Sequence, residues 1–116
     1  MLGALCHLIE LLEKEGYRVE EAYVFGSYVR GDWIETSDVD LVIVSPSFRG
    51  TRFIDRLELV YRLEWRARLK PWIEVIPLTP EEFEERLRSS AVLKDASRYW
   101  IPLRCREEAR AERARI

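Results

Sequence analysis

Val24-Phe25-Gly26-Ser27-Tyr28-Val29-Arg30-Gly31, followed by Ser37-Asp38-Val39-Asp40-Leu41-Val42-Ile43-Val44, decides how this chain is read. Glu20 to Phe25 reads as a strand stopped by Gly26-Ser27, and a short helical turn through Tyr28, Val29 and Arg30 is closed by Gly31. With ten residues between them and Ser27 come Asp38-Val39-Asp40, at the start of a second strand carried by Val39, Leu41, Ile43 and Val44. Four fixed residues at this spacing arise by accident in roughly one chain in a thousand of this length.

Each residue type has a chemical reason to be there. A strand that ends in Gly-Ser and opens a helical turn presents free backbone N–H groups at a positive helix end, where a phosphate is held. Gly26 lets that phosphate approach the backbone closely, and Ser27 adds a hydroxyl donor. Asp38 and Asp40 are two apart on a strand, so their carboxylates leave the same face. Two like charges about 5 Å apart cost roughly 3 kcal/mol at an effective dielectric near 20, which a bound cation relieves. Mg²⁺ is the natural cation, because one or two carboxylates and substrate phosphates suffice to hold it.

Glu74 is the third candidate acid, the single charge in Trp72-Ile73-Glu74-Val75-Ile76. If its strand lies beside the second, Glu74 faces the same way as the aspartates and serves to hold metal or take a proton from an attacking hydroxyl. Arg30 lies one helical turn beyond Ser27, where it contacts a triphosphate or pairs with an acid such as Asp32. The lone His7, near the solvent boundary of the first helix, is read as incidental.

The rest of the chain supplies the scaffold. Leu2, Leu5, Leu8, Ile9 and Leu12 predict a helix over about 2–15, capped by Gly16. Thr51 is expected to cap a helix whose apolar face carries Phe53, Ile54, Leu57, Val60, Tyr61 and Trp65, with Pro71 breaking it. Trp72–Leu78 is a third strand. Thr79-Pro80-Glu81-Glu82 is a capping box opening a helix that turns Phe83 and Leu87 inward and ends near Ser89. A helical piece over Ala91–Ala96 and a short extended stretch at Tyr99–Pro102 follow. The order is α-β-α-β-α-β-α: an α/β (α+β) fold built on a small three-stranded mixed sheet flanked by helices. One domain is expected over residues 1–103, with 104–116 a charged, solvated or frayed helical tail.

Composition narrows the setting. The 116 residues leave room for one core. No apolar run reaches bilayer-spanning length and the N-terminus lacks signal-peptide character, so a soluble, cytoplasmic protein is expected. A net charge of −2 gives no long-range field favouring nucleic acid. Arg greatly outnumbers Lys, and Asn and Gln are absent, the profile of a thermophile. Cys6 and Cys105 have no zinc-site spacing and are read as reduced and buried; a disulfide is the other reading, since intracellular hyperthermophile proteins sometimes keep them.

The two motifs together, Gly26-Ser27-Tyr28-Val29-Arg30-Gly31 and Ser37-Asp38-Val39-Asp40-Leu41, resemble the signature of the polymerase-beta-type nucleotidyltransferase superfamily. The small size and helix-first order are similar to its minimal nucleotidyltransferases, often encoded beside a HEPN-domain partner. The resemblance spans about residues 2–88. It implies that Gly26 and Ser27 hold the phosphates of an NTP, that Asp38 and Asp40 bind Mg²⁺, and that Glu74 is the third acid, where relatives commonly carry Asp. Arg30 matches an arginine usual in the motif. The implied reaction moves a nucleotide, AMP from ATP, onto an acceptor hydroxyl. With no acceptor domain in the chain, the acceptor surface is expected from a homo- or hetero-oligomeric mate. The leading expectation is a tyrosine of a HEPN toxin, which makes this chain an antitoxin. A non-catalytic subunit that binds and blocks its partner, and a transferase acting on a small molecule such as an antibiotic, are the competing readings.

Overall fold

The computed structural model describes residues 2–25, 39–70 and 72–105. Helix α1 (Leu2–Lys14) is followed by strand β1 (Glu21–Phe25) and strand β2 (Val39–Val44). A 3₁₀ turn at Pro46–Phe48 leads to α2 (Phe53–Ala67), β3 (Ile73–Leu78), α3 (Pro80–Ser89), α4 (Ala91–Ala96) and β4 (Ile101–Pro102). Among the described residues the sheet has four strands in the order β3-β2-β1-β4, one strand more than expected. The extra strand is the Tyr99–Pro102 stretch, two of whose residues pair antiparallel with β1, Tyr23 with Pro102 and Val24 with Ile101. β1 and β2 are antiparallel, whereas β2 and β3 are parallel and joined through α2.

Alternation along the strands divides the core. Ala22, Val24, Val39, Leu41, Ile43, Ile73 and Val75 face α1 and α2, meeting Leu5, Leu8, Leu12, Val60 and Leu63. The opposite face carries Val42, Val44 and Leu78, covered by Phe83 of α3, Leu93 of α4 and Trp100. Tyr23, Phe83 and Trp100 form a stacked aromatic trio there, with Tyr23 and Trp100 centroids 4.5 Å apart.

Most local expectations hold for stated reasons. Gly16 takes φ +93°, the left-handed conformation that ends α1. Thr79 and Glu82 form the complete capping box, each side chain accepting the other's backbone N–H. Three readings are corrected. Thr51 does not cap α2; its hydroxyl donates to Phe48 O and accepts from Arg56 Nε, and Arg52 occupies the cap position. The helix ends before Pro71 acts, at Ala67, with Arg68 left-handed at φ 52°. The buried stripe of α2 is Arg56, Val60, Leu63 and Glu64, while Ile54 and Trp65 are 53% and 79% exposed.

Both buried charges of that stripe are compensated. Arg56 donates to Pro77 O, Thr51 O and Glu82 Oε1, and Glu64 Oε1 accepts the backbone N–H of Ile73 at 2.8 Å. Burial of a charged group without such partners is costly.

The cysteines also depart from the reduced, buried reading. Cys6 of α1 and Cys105 are joined in a disulfide, with Cα atoms 5.4 Å apart, and both are half-buried. The pairing follows from chain path: β4 runs beside β1, Leu103 N–H bonds Ala22 O, and Cys105 then arrives against α1.

Candidate active site

Asp40 is the second residue of β2, and Glu74 the second residue of β3. The parallel register pairs them directly, Asp40 with Glu74, between Val39–Ile73 and Leu41–Val75. Paired residues on neighbouring strands point the same way, with backbones about 4.8 Å apart. Both acids therefore stand on the face that carries Val42, Val44, Ile76 and Leu78. On that face Phe83 of α3 and Leu93 of α4 pack with Val42, Val44 and Leu78, and the two acids are half-buried.

β1 reaches the same place from the other direction. Its last residue, Phe25, pairs with Asp40, and Gly26-Ser27 come next in the chain. Gly26, Ser27, Arg30 and Asp38 themselves lie outside the described residues. Of the six residues singled out in the sequence, the structure thus describes Asp40 and Glu74, and brings those two together.

α2 supplies what the sequence reading missed. Tyr61, from the helix against the opposite face, donates its hydroxyl to Glu74 Oε2 at 3.2 Å across edge strand β3. Its ring lies tilted against Trp72, centroids 5.4 Å apart. Burial raises the Tyr61 pKa above its ordinary value, and the charge and hydrogen bond of Glu74 raise it further, so the phenol stays a donor at neutral pH. Hydrophobic periodicity alone assigned Tyr61 to the core. Its ring does pack against the core, and no local signal shows that its hydroxyl reaches Glu74, because the inward turn of α2 depends on the distant partners of Arg56 and Glu64.

Two oxygen-bearing side chains on adjacent strands fit a hard divalent cation such as Mg²⁺, which takes one or two carboxylates and fills its remaining positions from phosphates and water. Among the described residues there is no cluster of three or more metal-ligating side chains. A separate cleft of about 680 Å³ lies between α1, the start of β1 and the segment after β4, lined by Glu13, Tyr17, Arg18, Glu20 and Arg104 among others. It adjoins the beginning of β1, about 13 Å along the strand from the acids. No helix among the described residues is long and apolar enough to cross a membrane.

Comparison with known proteins identifies the family of the domain. Residues 5–99 match the family of nucleotidyltransferase domains. The chain belongs to that family. Two Methanocaldococcus jannaschii proteins provisionally named protein adenylyltransferases are similar to it, one 37% identical over 51 residues, the other 50% identical over 30. The first alignment covers 44% of this chain and 51% of the relative; the second covers 26% and 35%. The chain thus spans about half or less of the length of the curated relatives it matches. A Sulfolobus solfataricus structure provisionally assigned as a nucleotidyltransferase superposes with a TM-score of 0.56 at 28% identity, covering 73% of this chain and 72% of that one. A toxin–antitoxin structure with AMP-PNP superposes with a TM-score of 0.57 over 89% of this chain and 72% of that one. At 21% identity it speaks for the shared fold alone.

Proposed function

We propose that this chain is a minimal nucleotidyltransferase that transfers AMP from ATP to a hydroxyl of a partner protein, a tyrosine of a HEPN-type toxin, and so acts as an antitoxin. The observation that carries the reading is the register that pairs Asp40 with Glu74 on one side and with Phe25, the last residue of β1, on the other. Family membership and the two similar archaeal proteins support the reaction class.

In this reading Gly26 and Ser27 hold the triphosphate through backbone N–H groups and a hydroxyl, and Arg30 offsets its charge. Asp38, Asp40 and Glu74 hold Mg²⁺, which when bound supplies charge neutralisation at the phosphates. The acceptor oxygen attacks the α-phosphorus, the new P–O bond forms as the α–β bridge breaks, and pyrophosphate leaves. Glu74 takes the acceptor's proton. Positioning and charge stabilisation carry the rate, as in phosphoryl transfer generally.

Co-expression with the product of the neighbouring gene, followed by intact mass of that protein, tests the reading. One added AMP with wild type, and none with the Asp38→Ala, Asp40→Ala double variant, is the expected result. An unmodified partner that co-purifies with both versions overturns the transferase reading in favour of a blocking subunit.

A further inference from the structure

The start of β3 is held twice by one helix. Glu64 accepts the backbone N–H of Ile73, and Tyr61, three residues earlier and so on an adjoining part of the same helix surface, donates to the side chain of Glu74. The first contact fixes the strand's path, the second the carboxylate's orientation. A glutamate has three side-chain torsions, one more than an aspartate, and an unrestrained carboxylate on an edge strand samples several rotamers. The Tyr61 ring is itself braced by Trp72, immediately before β3.

From this geometry we infer that Tyr61 is a positioning residue: its hydroxyl holds one oxygen of Glu74 so that the other is presented, alongside Asp40, to the cation and acceptor. The inference rests on the transferase reading of Glu74. The methylene that a glutamate has beyond an aspartate gives reach and freedom, and the phenol removes the freedom. Partners of this kind, which orient a ligating carboxylate without touching the metal, typically change metal affinity or activity by about 10–100-fold.

Mn²⁺ titration of the purified chain, followed by electron paramagnetic resonance, reads this directly. The variants are Tyr61→Phe, Glu74→Gln and the double variant, with thermal melts alongside. Phenylalanine keeps the ring against Trp72 and removes only the donor. The expected result is about tenfold weaker Mn²⁺ binding in Tyr61→Phe, and no further weakening when Tyr61→Phe is added to Glu74→Gln. In the transfer assay the same substitution lowers kcat and leaves the KM for ATP unchanged.

Unchanged Mn²⁺ binding in Tyr61→Phe, beside weakened binding in Glu74→Gln, overturns the inference and leaves the reading of Glu74 standing. Equal weakening by Tyr61→Phe with and without Glu74 assigns a general structural role and also overturns it. Wild-type Mn²⁺ binding and transfer by Glu74→Gln instead overturn the reading of Glu74, and the inference with it. An AMP adduct found on Tyr61 by peptide mass makes the tyrosine an acceptor, which overturns the positioning role.

Discussion

Arg56 and Glu64 stand eight residues apart on α2 and bind the two ends of β3: Arg56 donates to Pro77 O, and Glu64 accepts from Ile73 N–H. Eight residues of helix span about 12 Å and the four steps from Ile73 to Pro77 about 13 Å, so helix and strand match in length. An edge strand otherwise presents unpaired backbone groups to solvent or to another chain. Here charged side chains from the covering helix take up two of those groups, and the strand that carries Glu74 is fixed at both ends.

Removing that clamp weakens the fold and the site together. Glu64→Leu leaves the buried Ile73 N–H without its acceptor and is expected to cost about 1–3 kcal/mol in urea unfolding. Glu64→Gln retains an acceptor oxygen and costs less. Equal stability of wild type and Glu64→Leu contradicts the assignment.

Glu82 gives the stability a defined acid dependence. Burial pushes its pKa up, but the hydrogen bonds from Arg56 and Thr79 and the charge of Arg56 outweigh it, and the net shift is below the ordinary value of 4.5. A carboxyl held lower when folded stabilises fully above its unfolded pKa, and that contribution disappears as pH falls through the folded value. Wild type therefore loses stability below about pH 4.5 more steeply than Glu82→Gln. Parallel acid-denaturation curves for the two proteins contradict this.

Cation binding is expected to register in the melting temperature. If Asp40 and Glu74 hold Mg²⁺, adding it stabilises the folded state by mass action, and the shift depends on both acids. Millimolar Mg²⁺ raises the Tm of wild type and leaves that of Asp40→Asn unmoved. An equal rise in both proteins removes Asp40 from the proposed site.

The Cys6–Cys105 disulfide closes a loop with a sequence separation of 99, nearly the whole chain. Constraining so long a loop in the unfolded state is worth up to about 4.7 kcal/mol by chain entropy, and disulfides typically contribute about 2–4 kcal/mol. Unfolding in the presence of a reductant, or of the Cys6→Ala, Cys105→Ala variant, moves to lower denaturant by a corresponding amount. A midpoint indifferent to reduction shows that β4 and Leu103 already hold the C-terminal segment in place.

Much of this molecule was legible in the sequence because its signals are local. The Leu5, Leu8 and Leu12 spacing made α1 a helix, and Gly16 ended it. Thr79, Pro80 and Glu82 opened α3 through contacts within one turn. Strand alternation fixed that Asp40 shares a face with Val42, and Glu74 with Ile76, before any partner was known. The inward face of α2 was less accessible. Hydrophobicity favoured Ile54 and Trp65, yet Arg56 and Glu64 lie inside, because distant Pro77, Glu82 and Ile73 compensate their charges.

By itself, then, the sequence determined α1, strands β1 to β3 and the capping box of α3, and it named the candidate acids, since periodicity and capping act within a few residues. Tertiary structure alone decided that Asp40 and Glu74 are direct partners, that Tyr61 reaches Glu74, that β4 joins the sheet and that Cys6 meets Cys105. Each of those depends on the register and packing of segments far apart in the chain. Short-range preferences do not encode a register; it is set by the burial and hydrogen bonding that the whole fold achieves at once.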